Sequence, residues 1–532
     1  MLQGQMMRIP LLVSWILQNA AKHSGHVEVV SYAANGERHI YTYRDCERRA
    51  RKLVRALHAL GVEPGDRVGT LAYNGYRHLE IYYGAAGMGA VVHTINPRLF
   101  IEQIAYIVNH ADDKILFFDL ECEDIVRQLA TMCPRVEHWI ALSDTAPTSP
   151  HAQVVTYDTL IDYDASDPDD AWPAFDEEAA SGLCYTSGTT GNPKGILYSH
   201  RSTVLHAFSS ALPNALSCAS TDVILPVVPM FHVNAWGLPY SAPLVGAKLV
   251  LPGMRLDGKS LFEVVEAEQV TLMAGVPTVW QGLFDYMTRH GYRFSVPCRI
   301  VVGGAACPSH LIAGFAALNA RVVHAWGMTE LSPIGTVCQL PEVDDLPDPS
   351  RLSLLRKQGR PVSGIALKIV DDKGAALPND GVSCGELHVR GPWVSERYFG
   401  VDETALVDGW FPTGDIATID LDGYMQITDR SKDIIKSGGE WISSSEIENL
   451  VSAHPGVERA ACIARSDPRW GERPLLVVQA KAQSSLSRDD VIAQLVGKIA
   501  RWWMPDDVVF VDAIPLTATG KIHKLKLRQI FG

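Results

Sequence analysis

Apolar and polar positions along this chain follow two periods that take turns. Between about residue 40 and residue 410, short apolar runs read as strands, among them ILFFD (115–119), AKLVLP (247–252), RIVVGG (299–304) and LKIVDD (367–372). Segments such as 44–60 and 260–268 carry helical spacing between other such runs. Strands that alternate with helices predict an α/β fold, with helices packed on mainly parallel sheets. Near residue 411 the texture changes. FPTGDIATIDLDGYMQITDRSKDIIKSGGEWIS is rich in Gly, Asp, Ser and Thr and predicts short hairpins and turns. A helix (444–453), two strands (458–464 and 474–482), a helix (487–503) and a strand (508–512) follow, ahead of the basic tail GKIHKLKLRQI. The expectation is a large multi-sheet N-terminal domain, 1–431, and a smaller α+β C-terminal domain, 432–532, with the boundary near Lys432.

Two segments invite a membrane reading. The start, MLQGQMMRIPLLVSWILQNAAKHSG, sets one arginine before a short apolar stretch, as secretory signals do. Leu12, Trp15, Ile16 and Asn19 stand at helical spacing, so an amphipathic helix is preferred. The run 223–247, VILPVVPMFHVNAWGLPYSAPLVGA, has no charge and is long enough to span a bilayer. Pro226, Pro229, Pro239 and Pro243 interrupt it, with His232 and Asn234 near its centre. A buried wall inside a soluble protein is therefore expected. No transmembrane segment is expected, and any membrane association is expected to be weak.

Composition adds exclusions. A formal net charge of −13 argues against non-specific nucleic-acid binding, which needs basic residues to neutralise phosphates. The 10 cysteines are scattered without C-x-x-C spacing, which suggests reduced thiols in a cytoplasmic protein and neither disulfides nor a zinc site.

The strip CYTSGTTGNPKGILYSH (184–200) is the main candidate for chemistry. Backbone N–H groups and hydroxyls in a glycine-rich turn can wrap a polyphosphate, and Lys194 adds a point charge. A plain surface turn is the bland alternative. The Walker pattern G-x-x-x-x-G-K-[ST] cannot be laid on this strip, yet GMRLDGKS (253–260) fits it, after a strand-like run and before a plausible helix. A P-loop NTPase using Lys259, with Asp119 or Asp371 holding magnesium, is thus a rival reading. GVSCG (381–385) fits the hydrolase elbow, but a turn precedes it and a strand follows, so Ser383 reads as a loop serine.

Further motifs follow the strip in order: PMFHVNAWG (229–237), WGMTE (326–330), WFPTGD (410–415), DRSKDIIKSGGEW (429–441) and PLTATGK (515–521). Together they resemble the adenylate-forming superfamily of acyl-CoA synthetases, adenylation domains and luciferases along almost the whole chain. VPMFHVNAWG followed by GAKLVLPG, and the run HTINPRLF (93–100), are similar to the fatty acyl-CoA synthetase branch. The similarity is greatest to medium-chain fatty acid–CoA ligases and methylmercaptopropionate–CoA ligases.

The resemblance implies that ATP activates a carboxylic acid as an acyl-adenylate and that the thiol of CoA then displaces AMP. It implies Mg²⁺ held by Thr186 and Glu330, and a phosphate loop of Thr186, Ser187, Gly188, Thr189, Thr190, Gly191 and Lys194. Trp326 would lie against the adenine, where the family usually has tyrosine, with Gly327 and Thr329 beside it. Gly303, Gly304 and Ala305 would form the opposite wall. Asp415 would accept the ribose hydroxyls and Arg430 would donate to the same sugar. Lys521 would carry the adenylation step together with Glu330, and Lys432 would be a hinge that also contacts the nucleotide. A mobile C-terminal domain would then withdraw Lys521 and present Lys436, Gly438, Gly439, Glu440 and Trp441 to CoA.

His232, Val233, Asn234 and Trp236 would line the acid's path, Trp236 as a gate, while Phe231 could equally be core. No lysine or arginine lies in that run, which favours an apolar tail gaining about 0.8 kcal/mol per buried CH₂. A medium-chain fatty acid is the preferred substrate and methylmercaptopropionate the nearest alternative. A module that loads a carrier protein, or oxidises its adenylate, stands further off. A cytoplasmic homodimer is implied from relatives.

Overall fold

The computed structural model of the chain describes residues 1–145, 154–162, 171–186, 192–340, 348–438, 440–482, 484–516 and 522–532. The strands among them form four sheets. One, of seven strands, runs Val154–Thr156, His138–Ala141, Asp113–Phe118, Arg67–Leu71, Val91–Thr94, Ala180–Tyr185 and Gly195–Ser199. All its neighbours are parallel except the last pair. A second, of nine strands, has a parallel centre built from Ala320–Gly327, Cys298–Val302, Leu272–Gly275, Val223–Pro226, Lys248–Leu251 and Glu28–Tyr32, with antiparallel strands at both edges. Ala366–Val370, Gly385–Arg390, Phe411–Ile419 and Met425–Arg430 make an antiparallel third sheet. The fourth sheet begins at Ile435 and packs with the helix Ser444–Ser452.

Local sequence explains these elements. Strands covered by helices on both faces must be apolar on both, which is why ILFFD lacks alternation. Ile115 and Phe117 enter one core cluster while Leu116 and Phe118 enter another, on the opposite face. The helix Tyr43–Ala59 buries Tyr43, Cys46, Ala50, Leu53, Ala56 and Leu57, a stripe at helical spacing. A capping box of Thr42 and Asp45 satisfies its first N–H groups. All ten cysteines are free. Among the described residues no helix is long and apolar enough to cross a membrane.

Two expectations needed correction. The N-terminal helix is present, Val13–His23, but its buried face is Val13, Ile16, Leu17 and Ala20, while Trp15 is exposed. Leu12, the cap residue, and Ile16 are buried as expected, but the stripe continues through Val13, Leu17 and Ala20 rather than Trp15 and Asn19. The segment 487–503 is not one helix. It is Arg488–Ala493 followed by a separate turn, Arg501–Trp503, because Gly497 takes a φ of +76°, outside helical backbone.

The uncharged run divides into the strand Val223–Pro226, a tight turn at Val233–Trp236 and the helix Leu238–Val245. Most of it is buried, as a wall between sheets would be. Beyond Arg430, contacts tie the fourth sheet's region to the third. Asp429 accepts bonds at 2.6 Å from both the backbone N–H and the hydroxyl of Ser444, and Arg528 pairs with Asp433 at 2.8 Å. The buried ammonium of Lys524 donates to Ser444 Oγ at 2.6 Å and pairs with Glu448 at 2.8 Å.

Candidate active site

A cavity of about 370 Å³ opens where the phosphate strip, the uncharged run, the strand Ala320–Gly327 and the third sheet meet. The strip enters at the end of the strand Ala180–Tyr185. There the N–H of Thr186 donates to Lys194 O at 2.9 Å, and Thr186 Oγ1 accepts from Lys194 N at 3.2 Å, closing the base of the turn. Thr186, Asn192 and Lys194 line the cavity. Ser187, Gly188, Thr189, Thr190 and Gly191 lie outside the described residues.

Glu330 also lines the cavity, on the short turn Thr329–Leu331. Its carboxylate is almost fully buried, and burial pushes its pKa up. The hydroxyl of Tyr398 donates to it at 3.1 Å, while Lys194 Nζ lies 4.5 Å from the centre of the same tyrosine's ring. Tyr398 therefore joins the cation of the strip to the carboxylate. The backbone O of Thr329 accepts from Tyr198 OH at 2.7 Å, which holds the turn against the seven-stranded sheet.

Gly303, Gly304, Trp326, Gly327 and Thr329 line the same space. A Cβ at Gly303 would meet the ring of Trp236 at 2.9 Å and Ala325 O at 3.2 Å, so glycine is what lets the two walls close. Asp415 and Arg430 face one another across paired strands, with Arg430 Nε 2.7 Å from Asp415 Oδ1. Arg430 lines the cavity, and Asp415 sits behind it, also bonded to Trp326. Ala305 does not line the cavity.

The uncharged run supplies the apolar half. Val233, Asn234, Ala235 and Trp236 have φ between 48° and 56°, one turn of left-handed backbone. Each such non-glycine residue costs about 1–2 kcal/mol, so surrounding packing must impose the turn. It brings Val233 and Trp236 to the cavity with His232, Val227, Val228, Val276 and Val279. Asn234 turns away, its carbonyl accepting from Tyr82 OH at 3.3 Å, and does not line the cavity. Phe231 does line it, edge-to-face with Tyr73.

Sequence reasoning passed over Tyr398, Asn96 and Arg98 as site residues. Arg98 lies at the cavity with its guanidinium 5.7 Å from the ring of Phe231, so a cation is present that the charge-free run did not foretell. Asn96 and Arg98 belong to HTINPRLF, which could have flagged them; Tyr398 carries no motif.

Of the expected CoA residues, Lys436, Gly438 and Trp441 do not line this cavity. Gly438 has a φ of +61°, and a Cβ there would meet the ring of Trp470 at 2.9 Å. Lys436 Nζ stands 5.9 Å from the ring centre of Trp441, and Glu440 pairs through its backbone with Ser437. Lys432 occupies the turn between the third and fourth sheets, outside the cavity. Gly439 and Lys521 lie outside the described residues.

The rival motif is not a phosphate site. Asp257 caps the helix Gly258–Glu268, its carboxylate accepting from Ser260 N at 3.1 Å, so a negative charge already occupies that N-terminus. Lys259 is 64% exposed and pairs with Glu263 at 3.7 Å. Asp119 accepts from Tyr73 N, and Asp371 from the backbone of its own turn. Ser383 donates to Asp380, a turn contact without a base.

A family model for AMP-binding enzymes matches residues 16–399, and one for the AMP-binding enzyme C-terminal domain matches 446–521. The chain belongs to the AMP-binding enzyme family. It is 50% identical to a 3-methylmercaptopropionyl-CoA ligase of Ruegeria lacuscaerulensis, over 99% of this chain and 98% of that one. It is 49% identical to a medium-chain-fatty-acid–CoA ligase of Ectopseudomonas oleovorans, over 99% and 97%. A crystal structure of an anthranilate–CoA ligase with anthranoyl-AMP superposes with a TM-score of 0.87 over 99% of both chains, at 23% identity, and bears on the fold alone. The enzyme is an acyl-CoA synthetase of the adenylate-forming superfamily, with ATP and CoA as its substrates. A P-loop NTPase is set aside.

Proposed function

We propose that the enzyme joins a medium-chain fatty acid to CoA through an acyl-adenylate, releasing pyrophosphate and then AMP. One observation carries this reading. A single cavity is lined both by polar side chains, Thr186, Lys194, Glu330 and Arg430, and by apolar ones, Val227, Val228, Val233, Val276 and Val279. Trp236, packed against Gly303, lines it too.

A carboxylate is a poor acyl donor until its oxygen is turned into a leaving group, and attack on the α-phosphate of ATP does that. The step brings a carboxylate towards a triphosphate, so cations must offset the charge. Lys194 serves the phosphates, Arg430 and Asp415 the ribose, and Trp326 the adenine face. Lys521 bridges the attacking carboxylate and the α-phosphate. The Glu330 carboxylate and the Thr186 hydroxyl are hard oxygen donors, suited to Mg²⁺ that completes its shell with phosphate and water rather than a protein cage. Bound there, Mg²⁺ would neutralise phosphate charge.

The domain assignment belongs to the same reading: 1–431 holds ATP and the acid, 432–532 is mobile about Lys432, and its Lys436–Trp441 face receives CoA. Sheets that end at Arg430 and begin at Ile435 support a hinge between them. A cytoplasmic homodimer completes it, resting on the free cysteines and on resemblance.

A second reading, methylmercaptopropionate as the acid, is favoured by the 50% identity to a ligase of that name. Profiling kcat/KM for acids from propionate to palmitate, with methylmercaptopropionate included, separates the two. We expect the maximum at medium chain length, since each buried CH₂ adds about 0.8 kcal/mol until the pocket ends. A maximum at methylmercaptopropionate would move the assignment to the second reading. Absence of acyl-adenylate with every acid would end both.

A further inference from the structure

An indole at position 326 differs from the tyrosine common in the family in two ways. It is wider, and its donor is an N–H on the flank of the ring rather than an O–H at the tip. The structure accommodates both. The strand Ala320–Gly327 runs antiparallel to Ile334–Val337, with Trp326 opposite Thr336 and a register shift beside it. Gly335 makes a shelf for the six-membered ring: a Cβ there would meet two of its carbons at 2.5 and 2.7 Å. Seated on that shelf, Trp326 is 6% exposed, and its Nε1–H donates to Asp415 Oδ2 at 2.9 Å. Asp415 is 1% exposed, and Arg430 Nε stands 2.7 Å from its other oxygen. One hydrogen bond, from the indole, thus fixes one oxygen of the buried carboxylate, while the Arg430 guanidinium offsets its charge as an ion pair on the other. Rotation of that carboxylate about its own axis would break the indole bond.

We propose that Trp326 is a positioning residue: its indole N–H, placed by Gly335, holds the Asp415 carboxylate in the orientation that receives the ribose hydroxyls, and so sets the discrimination between ATP and deoxy-ATP. This rests on the reading of Asp415 as the ribose acceptor. The physical ground is that an N–H bond to a buried carboxylate is charge-assisted and directional. A carboxylate freed to turn presents its lone pairs to the sugar only part of the time. Phenylalanine would keep the flat face for adenine and lose the donor.

The test is acid-dependent ATP–pyrophosphate exchange, with KM and kcat for ATP, 2′-deoxy-ATP and 3′-deoxy-ATP. The proteins are wild type, Trp326→Phe, Gly335→Ala and Asp415→Ala, each checked for a cooperative thermal transition. Trp326→Phe is expected to raise KM for ATP about tenfold, the lower end for losing a hydrogen bond to a charged group. KM for the deoxy analogues should rise far less, so the discrimination ratio falls. Gly335→Ala keeps the indole and displaces it, and should produce the same fall; if either variant does not fold, the other decides. The proposal is overturned if ATP and its deoxy analogues lose equally in Trp326→Phe, the mark of plain stacking. If Asp415→Ala abolishes discrimination while neither other variant changes it, only the role of Trp326 fails. If Asp415→Ala also leaves discrimination intact, the ribose reading fails and takes this proposal with it.

Discussion

The strip 185–195 and the segment 253–260 both set glycines and a lysine after a strand, yet they spend those groups in opposite ways. In GMRLDGKS the aspartate and the lysine are already used within a few residues of themselves. The Asp257 carboxylate takes the Ser260 N–H, and Lys259 reaches Glu263 one helical turn on, in solvent. In YTSGTTGNPKG the base of the turn is closed by Thr186 and Lys194 on each other, and both then line a cavity opposite Glu330. A phosphate site needs donors aimed at an enclosed space, and a carboxylate at a helix N-terminus defeats it whatever the spacing of glycines. The segment that satisfies the written pattern is the surface one.

Four experiments bear on this contrast. Lys521→Ala should cut acid-dependent ATP–pyrophosphate exchange by about 10²–10³-fold, the scale of removing one preorganised charge partner from a transition state. Retention of exchange by that variant, with loss in Lys259→Ala, would reverse the roles of the two segments. Glu330→Gln should lower exchange by roughly 10²-fold and raise the Mg²⁺ concentration needed, read from a magnesium titration of rate. Because burial already disfavours the charged form of Glu330, Tm should hold or rise in that variant; a Tm collapse would make the residue structural. Asp257→Ala should leave kcat/KM untouched and cost about 1 kcal/mol of stability from the lost helix cap, visible in denaturant melts. Lys259→Ala should change stability by no more than about 0.5 kcal/mol and exchange not at all, since exposed ion pairs on helices contribute little.

Much of the architecture could be read from residue order. The doubly covered strand 115–118, the capped helix Tyr43–Ala59 and the hairpin texture after 411 all depend on neighbours within a turn or two. So do the errors: Trp15 and Asn19 taken for the apolar face of the first helix, and a helix carried through Gly497. The candidate site divides the same way. The motifs bearing Thr186, Lys194, Glu330 and Arg430 were visible, and the fold brings those residues to one cavity.

Periodicity, caps, the ordered motifs and the family were thus legible in the chain itself, because each is written by residues close in sequence. The grip of Trp326 on Asp415 spans 89 positions, and that of Tyr398 on Glu330 spans 68. The left-handed turn at Val233–Trp236 runs against local preference and persists only because packing imposes it. Such features exist only once separate sheets meet, since a hydrogen bond depends on distance and angle in space, and linear order carries neither.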